Sequence, residues 1–357
     1  MSKYVAYVGT YTHENSIGIH VYDVNPETGI FTERGVAPIN NASDLDVSKD
    51  GKFLYSIEDE GVTSFSIDKN GDITKINQAD IDGMRGCCVT TDSKRRYLFV
   101  GGFHDGKVTM MKLNEDGSIA GIADGIFHQG VAISALARRL DHPKVSSVRL
   151  TPDEKFLLAA DYGLNQVKVY KLDYNRGKMH LCDTIRCNLD SGPRAQKFSS
   201  DGKFLYILDE LTNEIEVYSY KVDDDEPVFE QIQVIPSMDN ANLADLSSEL
   251  VISDDGKYVY VSIDGFNGVS WLSRDEKTGL LTHKGQMPTS GYFPKSMAVL
   301  PGGKYIVMLN HDSNEMRTFV INHVTEPKDI RNPPSNRYAG FSTSIRIAEA
   351  AIPVGIS

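Results

Sequence analysis

The chain has 357 residues, 40% of them hydrophobic and 24% charged, the balance of a folded chain that can bury a large core rather than of a disordered one. Lys and Arg number 37 against 49 Asp and Glu, a formal net charge of −12, and no basic run interrupts that acidity. Nucleic acid is therefore not an expected partner, because its binding leans on neutralising phosphate.

From Lys3 onward the chain turns at once to strand-like alternation with no apolar leader, and no stretch approaches the roughly 18–20 apolar residues of a membrane helix. Neither a signal peptide nor a membrane partner is expected. Further along, one phrase recurs. After Lys3-Tyr4-Val5-Ala6-Tyr7-Val8 come Asp50-Gly51-Lys52-Phe53-Leu54-Tyr55, Asp92-Ser93-Lys94 with Tyr97-Leu98-Phe99, and Asp153-Glu154-Lys155-Phe156-Leu157-Leu158. Asp201-Gly202-Lys203-Phe204-Leu205-Tyr206, Asp255-Gly256-Lys257-Tyr258-Val259-Tyr260 and Gly302-Gly303-Lys304-Tyr305-Ile306-Val307 complete seven copies. From position 50 to position 302 the repeat takes five steps, about 50 residues each, and seven such units fill the chain.

Within each unit the apolar runs are short, β-branched or aromatic, and bounded by Gly, Asp and Asn. Asp-Gly-Lys is a tight hairpin turn in which Gly supplies a positive φ. An alternating strand follows in every copy, for example Val167-Lys168-Val169-Tyr170 and Ile215-Glu216-Val217-Tyr218, and polar turns such as Asn25-Pro26-Glu27-Thr28-Gly29 lead to an outer strand. Four strands repeated seven times predict an all-β fold, a seven-bladed β-propeller occupying residues 1–357 as a single domain. The first blade begins at its second strand. The segment Thr343-Ser344-Ile345-Arg346-Ile347-Ala348 has strand character and no following partner, so it is expected to close that blade beside residues 3–8, with Pro333-Pro334 in the crossing loop.

Propellers bind small molecules where the innermost strands converge on the central channel. Counting seven residues back from each hairpin turn gives one equivalent inner position per blade: Ser43, Arg85, Ser146, Arg194, Ser248 and Lys295. Three cations converging on one channel in an acidic chain call for a partner, since a buried unpaired charge is costly. An anionic ligand would supply one; so would acids such as Asp209, Glu210 and Glu249, in which case the cations only line a wet channel. Other motifs carry less. Asp68-Lys69-Asn70-Gly71-Asp72 and Asn114-Glu115-Asp116-Gly117 lack the full calcium-loop pattern and read as hairpin turns. The nine histidines show no metal spacing, and no phosphate loop or GxSxG elbow occurs, so no metal and no organic cofactor is expected. Cys87, Cys88, Cys182 and Cys187 have no CxxC spacing and read as reduced thiols of a cytoplasmic protein.

The block Gly192-Pro193-Arg194 through Phe198-Ser199-Ser200-Asp201-Gly202-Lys203-Phe204-Leu205-Tyr206-Ile207-Leu208-Asp209-Glu210-Leu211 resembles the GPRH...FSPDGKxLYVxNEL block of the seven-bladed lactonase family. That family includes the propeller type of 6-phosphogluconolactonase and carboxymuconate cyclase. Val8-Gly9-Thr10-Tyr11-Thr12, Leu157 to Asn165, and Phe293-Pro294-Lys295 leading to Asn310-His311-Asp312-Ser313-Asn314 are similar to the same family. The departures fall at the channel. Pro143-Lys144-Val145-Ser146-Ser147 replaces a PHPHS phrase, Ala195 stands at the His of GPRH, Lys295 replaces an Arg, and Ser262-Ile263-Asp264-Gly265 replaces SNRG.

The resemblance implies hydrolysis of a small anionic sugar lactone, with a sugar acid as product, on the pentose phosphate route. Lactone opening needs a base to activate water, a cation to hold the carbonyl oxygen as it becomes anionic, and a clamp on the charged tail. Glu210 is the candidate base and Arg194 the candidate oxyanion partner; Lys295 and Arg85 are the candidate clamp on phosphate or carboxylate, with Glu249 and Ser146 as further substrate contacts. Two other readings use the same cations: a propeller that binds a ligand without turnover, and a carboxymuconate cyclase type of activity.

Overall fold

The computed structural model describes residues 3–12, 16–59, 61–131, 142–322, 336–337 and 342–350. Among these there is no helix, and hence none long and apolar enough to cross a membrane. The strands form seven four-stranded antiparallel sheets, each a blade of one ring. In blades 2 to 7 the chain runs from the innermost strand outward; blade 5, for example, is Pro193–Phe198, Phe204–Asp209, Glu214–Asp223 and Glu226–Pro236.

Blade 1 closes the ring. Strand Lys3–Thr10 pairs on one side with Gly18–Asn25 and on the other with Ser342–Ala350, in a register that sets Tyr7 opposite Arg346. The expected closure by residues 343–348 beside residues 3–8 is what the structure contains. Pro333 and Pro334 lie outside the described residues.

The recurring turn phrase has a local cause. In blade 5, Ser199 Oγ donates to Asp201 Oδ1 at 2.6 Å and accepts from the Phe204 N–H at 3.0 Å, while Gly202, at φ 73°, donates its N–H to the Ser199 carbonyl. Blades 2, 4 and 6 repeat this with Ser48 and Asp50, Thr151 and Asp153, and Ser253 and Asp255. Where Gly is replaced, Glu154 holds the left-handed conformation at φ 57° and uses its side chain across blades, accepting from the N–H and hydroxyl of Ser93 at 2.8 and 2.9 Å. The motifs read as hairpin turns are turns: Asp68 accepts from the N–H groups of Asn70 and Asp72, and Asp116 from that of Ser118.

Core packing runs between neighbouring blades. Tyr206 and Leu208 of blade 5 are buried with Val259, Val261 and Leu272 of blade 6. A buried tyrosine on a second strand ties its blade to the outer turn of the next. Tyr206 donates to the Gly279 carbonyl at 2.9 Å, Tyr55 to that of Gly117 at 3.2 Å and Tyr7 to that of Gly71 at 2.8 Å. Gly279 sits at φ 75°, and a Cβ there would lie 2.3 Å from the Phe204 ring. Gly279→Ala should therefore destabilise the fold by at least about 1 kcal/mol, combining left-handed strain with a clash that separates the blades. A lower urea midpoint with an unchanged slope would show it.

Candidate functional site: the central channel

Four of the six register positions share a structural device, while Ser43 and Arg85 precede the first paired residues of their inner strands. Ser146, Arg194, Ser248 and Lys295 each fall where strand pairing slips by one residue, as between Pro193 and Ala195. A bulged residue leaves the ladder and can be re-aimed, and here each side chain faces the axis. Ser43, Ser146, Arg194, Ser248 and Lys295 line one cavity of about 500 Å³; Arg85 stands outside that lining, at the rim.

The mouth of the channel lies opposite the Asp-Gly-Lys turns, where second strands cross to third strands. The first residue after the second strand is Tyr11, Asp59, Tyr162, Glu210 and His311 in blades 1, 2, 4, 5 and 7. These side chains meet the cations. Tyr162 donates its hydroxyl to Glu210 Oε1 at 3.2 Å, and Arg194 Nη1 lies 3.5 Å from Glu210 Oε2. Arg85 Nη1 is 3.5 Å from Asp59 Oδ1. Lys295 Nζ contacts the Tyr11 hydroxyl at 3.2 Å and lies 4.7 Å from the centre of that ring, which also faces the Arg85 guanidinium at 5.2 Å. Among the described residues Lys295 has no carboxylate within ion-pair distance. Burial, and then the Arg194 and Arg85 charges, hold its pKa below the usual lysine value against the pull of Tyr11. Burial would lower the Arg194 pKa, but Glu210, Cys87, Tyr162 and Glu249 together outweigh it and the group stays fully cationic.

An imidazole is present after all. His311 packs edge-on against Tyr11 with its Nδ1 2.7 Å from Asp312. Burial lowers its pKa, Asp312 opposes this, and Lys295 adds to it. Counting back from the turns does not reach His311, Tyr11, Asp59 or Tyr162, but counting to the end of each second strand does.

Deeper in the channel lies a second set of charges. Three residues on from Ser43, Ser146 and Arg194 stand Asp46, Arg149 and Lys197, and the closing strand contributes Arg346. Asp44 accepts from the Val89 N–H at 3.0 Å and from Arg346 Nη2 at 2.8 Å; Asp46 accepts from the N–H and hydroxyl of Thr91. Glu249 belongs to this level, 3.8 Å from Lys197. Burial, and then the Arg149 charge, push the Lys197 pKa down to about 8. Arg149 has no acid within ion-pair distance among the described residues, and its Nε has no hydrogen-bond partner.

Ser146 and Asp209 make contacts that counting along the strands does not show. Ser146 donates its hydroxyl to the carbonyls of Pro193 and Ala160 at 2.6 and 3.2 Å, so it clamps blade 4 to blade 5 rather than presenting a donor proton to a ligand. Asp209 is not a channel acid. It is fully buried beside Glu216, which already accepts from the Asn188 N–H, the Tyr218 hydroxyl and Gln231. With Cys187 these two carboxylates form a cluster of metal-donor types within 4.8 Å of one another. Neither Asp209 oxygen has a hydrogen-bond partner, whereas its counterpart Asp161 in blade 4 has His128 at 2.6 Å and two backbone N–H groups. Burial, and then Glu216, raise the Asp209 pKa well above the carboxylate range.

Comparison with known proteins agrees with this architecture. The family model described as "Lactonase, 7-bladed beta-propeller" matches residues 5–329. The chain belongs to this lactonase family. It is 28% identical over 326 residues to a 6-phosphogluconolactonase of Bacillus subtilis, covering 89% of this chain and 91% of that one. It is also 28% identical over 329 residues to a 6-phosphogluconolactonase of Formosa agariphila, covering 88% and 91%. A crystal structure described as a putative 6-phosphogluconolactonase from Bacteroides fragilis superposes with a TM-score of 0.88 at 28% identity, covering 98% of both chains. The periplasmic gluconolactonase of Pseudomonas aeruginosa does so with 0.88 at 25%, covering 98% of this chain and 100% of that one.

In this lactonase-family chain, the slot behind Glu210 generates a prediction. Because the Asp209 pKa is raised in the fold, its contribution to stability is fully present below the unfolded-chain value, about 3.9, and is lost as pH rises through the folded-state pKa. Asp209→Asn keeps a donor towards Glu216 without a proton to lose. Thermal unfolding should show this variant melting roughly 2–4 °C above the natural chain at pH 8, the gap closing towards pH 4.

Proposed function

We propose that this protein hydrolyses an anionic sugar lactone of the 6-phosphogluconolactone type. The observation that carries the reading is Lys295, a channel cation with no acid within ion-pair distance among the described residues, beside an Arg194–Glu210 pair 3.5 Å apart. The 6-phosphogluconolactonase relatives support the choice of substrate. Glu210, oriented by Tyr162 and Arg194, accepts a proton from water as the oxygen attacks the lactone carbonyl carbon. Arg194 donates to the carbonyl oxygen as it becomes anionic. Collapse of the tetrahedral intermediate breaks the bond to the ring oxygen, which takes the proton back from Glu210, leaving the open acid. Lys295 and Arg85 hold the oxygens of the lactone end at the mouth, and the carboxylate once the ring has opened. The four unpaired cysteines support a reducing, cytoplasmic compartment, and 6-phosphogluconate as product would place the reaction on the pentose phosphate route.

Calorimetry with 6-phosphogluconate should show at least a tenfold loss of affinity for Arg194→Ala, about 1.4 kcal/mol. Equal affinities would remove Arg194 from the site. Glu210→Gln should keep that affinity and lower hydrolysis of fresh 6-phosphogluconolactone by roughly a hundredfold or more, read with a coupled dehydrogenase after subtracting the spontaneous rate. If His311→Gln shows the large loss and Glu210→Gln does not, the imidazole is the base. A natural chain that binds 6-phosphogluconate but adds nothing to the spontaneous rate is a binding module.

A further inference from the structure

The channel contains uncompensated cations at two depths, and one anionic group on a ligand answers only one of them. At the mouth, Lys295 has no acid among the described residues. Three residues deeper, a distance of about 10 Å along a strand, Arg149 has none either and keeps a buried Nε without a partner. Lys197 beside it reaches Glu249 only at 3.8 Å. The other two acids of this level are already engaged: Asp44 by Arg346 and the Val89 N–H, and Asp46 by Thr91. Both levels line the same cavity, so a single elongated ligand reaches both.

We propose that the deep level is a phosphate subsite, in which Arg149, Lys197 and Arg346 bind the phosphate of a six-carbon ligand whose carboxylate or lactone end lies between Arg194, Glu210 and Lys295. This rests on the lactone reading above and extends it by orienting the substrate, ring end at the mouth and phosphate inward. A sugar acid phosphate carries its two anions at opposite ends, matching the two cation levels. Arg149 offers the planar donor fork suited to phosphate, and Lys197 a point charge. The titratable groups that share the deep part of the cavity with Lys197 are Arg149 from blade 4, Glu249 and Asp254 from blade 6, Arg346 from blade 1, Asp44 and Asp46 from blade 2, and the Cys87 and Cys88 thiols of blade 3. The three cations face at least as many acids at this level, so what a bound phosphate answers is the missing partner of Arg149 and the long contact of Lys197 rather than a net charge.

Calorimetry with two ligands, 6-phosphogluconate and gluconate, isolates the phosphate contribution. The natural chain should bind the phosphorylated ligand at least tenfold more tightly. Arg149→Met and Lys197→Met should each remove most of that advantage while leaving gluconate affinity within twofold and melting behaviour cooperative. Lys197→Arg, which keeps the charge in a similar volume, should retain the advantage at pH 7, and also at pH 9, where the natural chain loses part of it as Lys197 deprotonates. An advantage that persists in Arg149→Met, or equal loss of both ligands in the Met variants, overturns the subsite. If the natural chain hydrolyses the lactone but shows no phosphate advantage, only this subsite fails. If it neither binds these ligands nor hydrolyses the lactone, both readings fail.

Discussion

Everything in the channel depends on the pairing of Lys3–Thr10 with Ser342–Ala350. A ring of blades is held by contacts between neighbours, and an open ring would leave blade 1 with three strands and an unpaired inner edge. The hydrogen bonds between the two ends of the chain remove that edge. They also have an electrostatic consequence, because the closing strand carries Arg346 into the channel, where Asp44 of blade 2 receives it at 2.8 Å. Ring closure and the charge pattern of the site are thus one interaction seen at two scales.

The second organising feature is the bulge at the start of the inner strands. A regular strand would alternate its side chains between the two faces of the blade. The slip in pairing at Ser146, Arg194, Ser248 and Lys295 turns one residue in each of blades 4 to 7 towards the axis while the rest of the strand keeps its register. Because the backbone device is repeated, the chemistry varies without disturbing the fold: Ser146 at this position ties two blades together, and an arginine or lysine charges the cavity. Concentrating cations there is unfavourable for the isolated protein. The cations without an acid among the described residues are therefore the places where an anion would be most favourable.

The same economy of backbone and variety of side chain shows at the ends of the second strands. Asp161 and Asp209 occupy the same register in blades 4 and 5. One is held by His128 and backbone N–H groups, and the other faces Glu216 with no hydrogen-bond donor of its own. Glu210 follows directly on this buried carboxyl, whose pKa burial and the neighbouring Glu216 raise.

The sequence by itself determined the propeller, the number of blades and the closing strand, because turn residues and strand alternation are local signals and their period counts the units. Counting along one strand also found Arg194 and Lys295, and the block around Glu210 carried the family resemblance. What it did not show was which charges meet. Asp209 and Glu210 are neighbours in the chain, yet one points into the blade and the other towards the channel. Arg346 and Asp44 are about 300 residues apart and in contact. His311, Tyr11 and Lys295 come together only because the first and last blades adjoin. Pairing of this kind is set by ring closure and by the pitch of each blade, long-range geometry to which no local pattern in the chain corresponds.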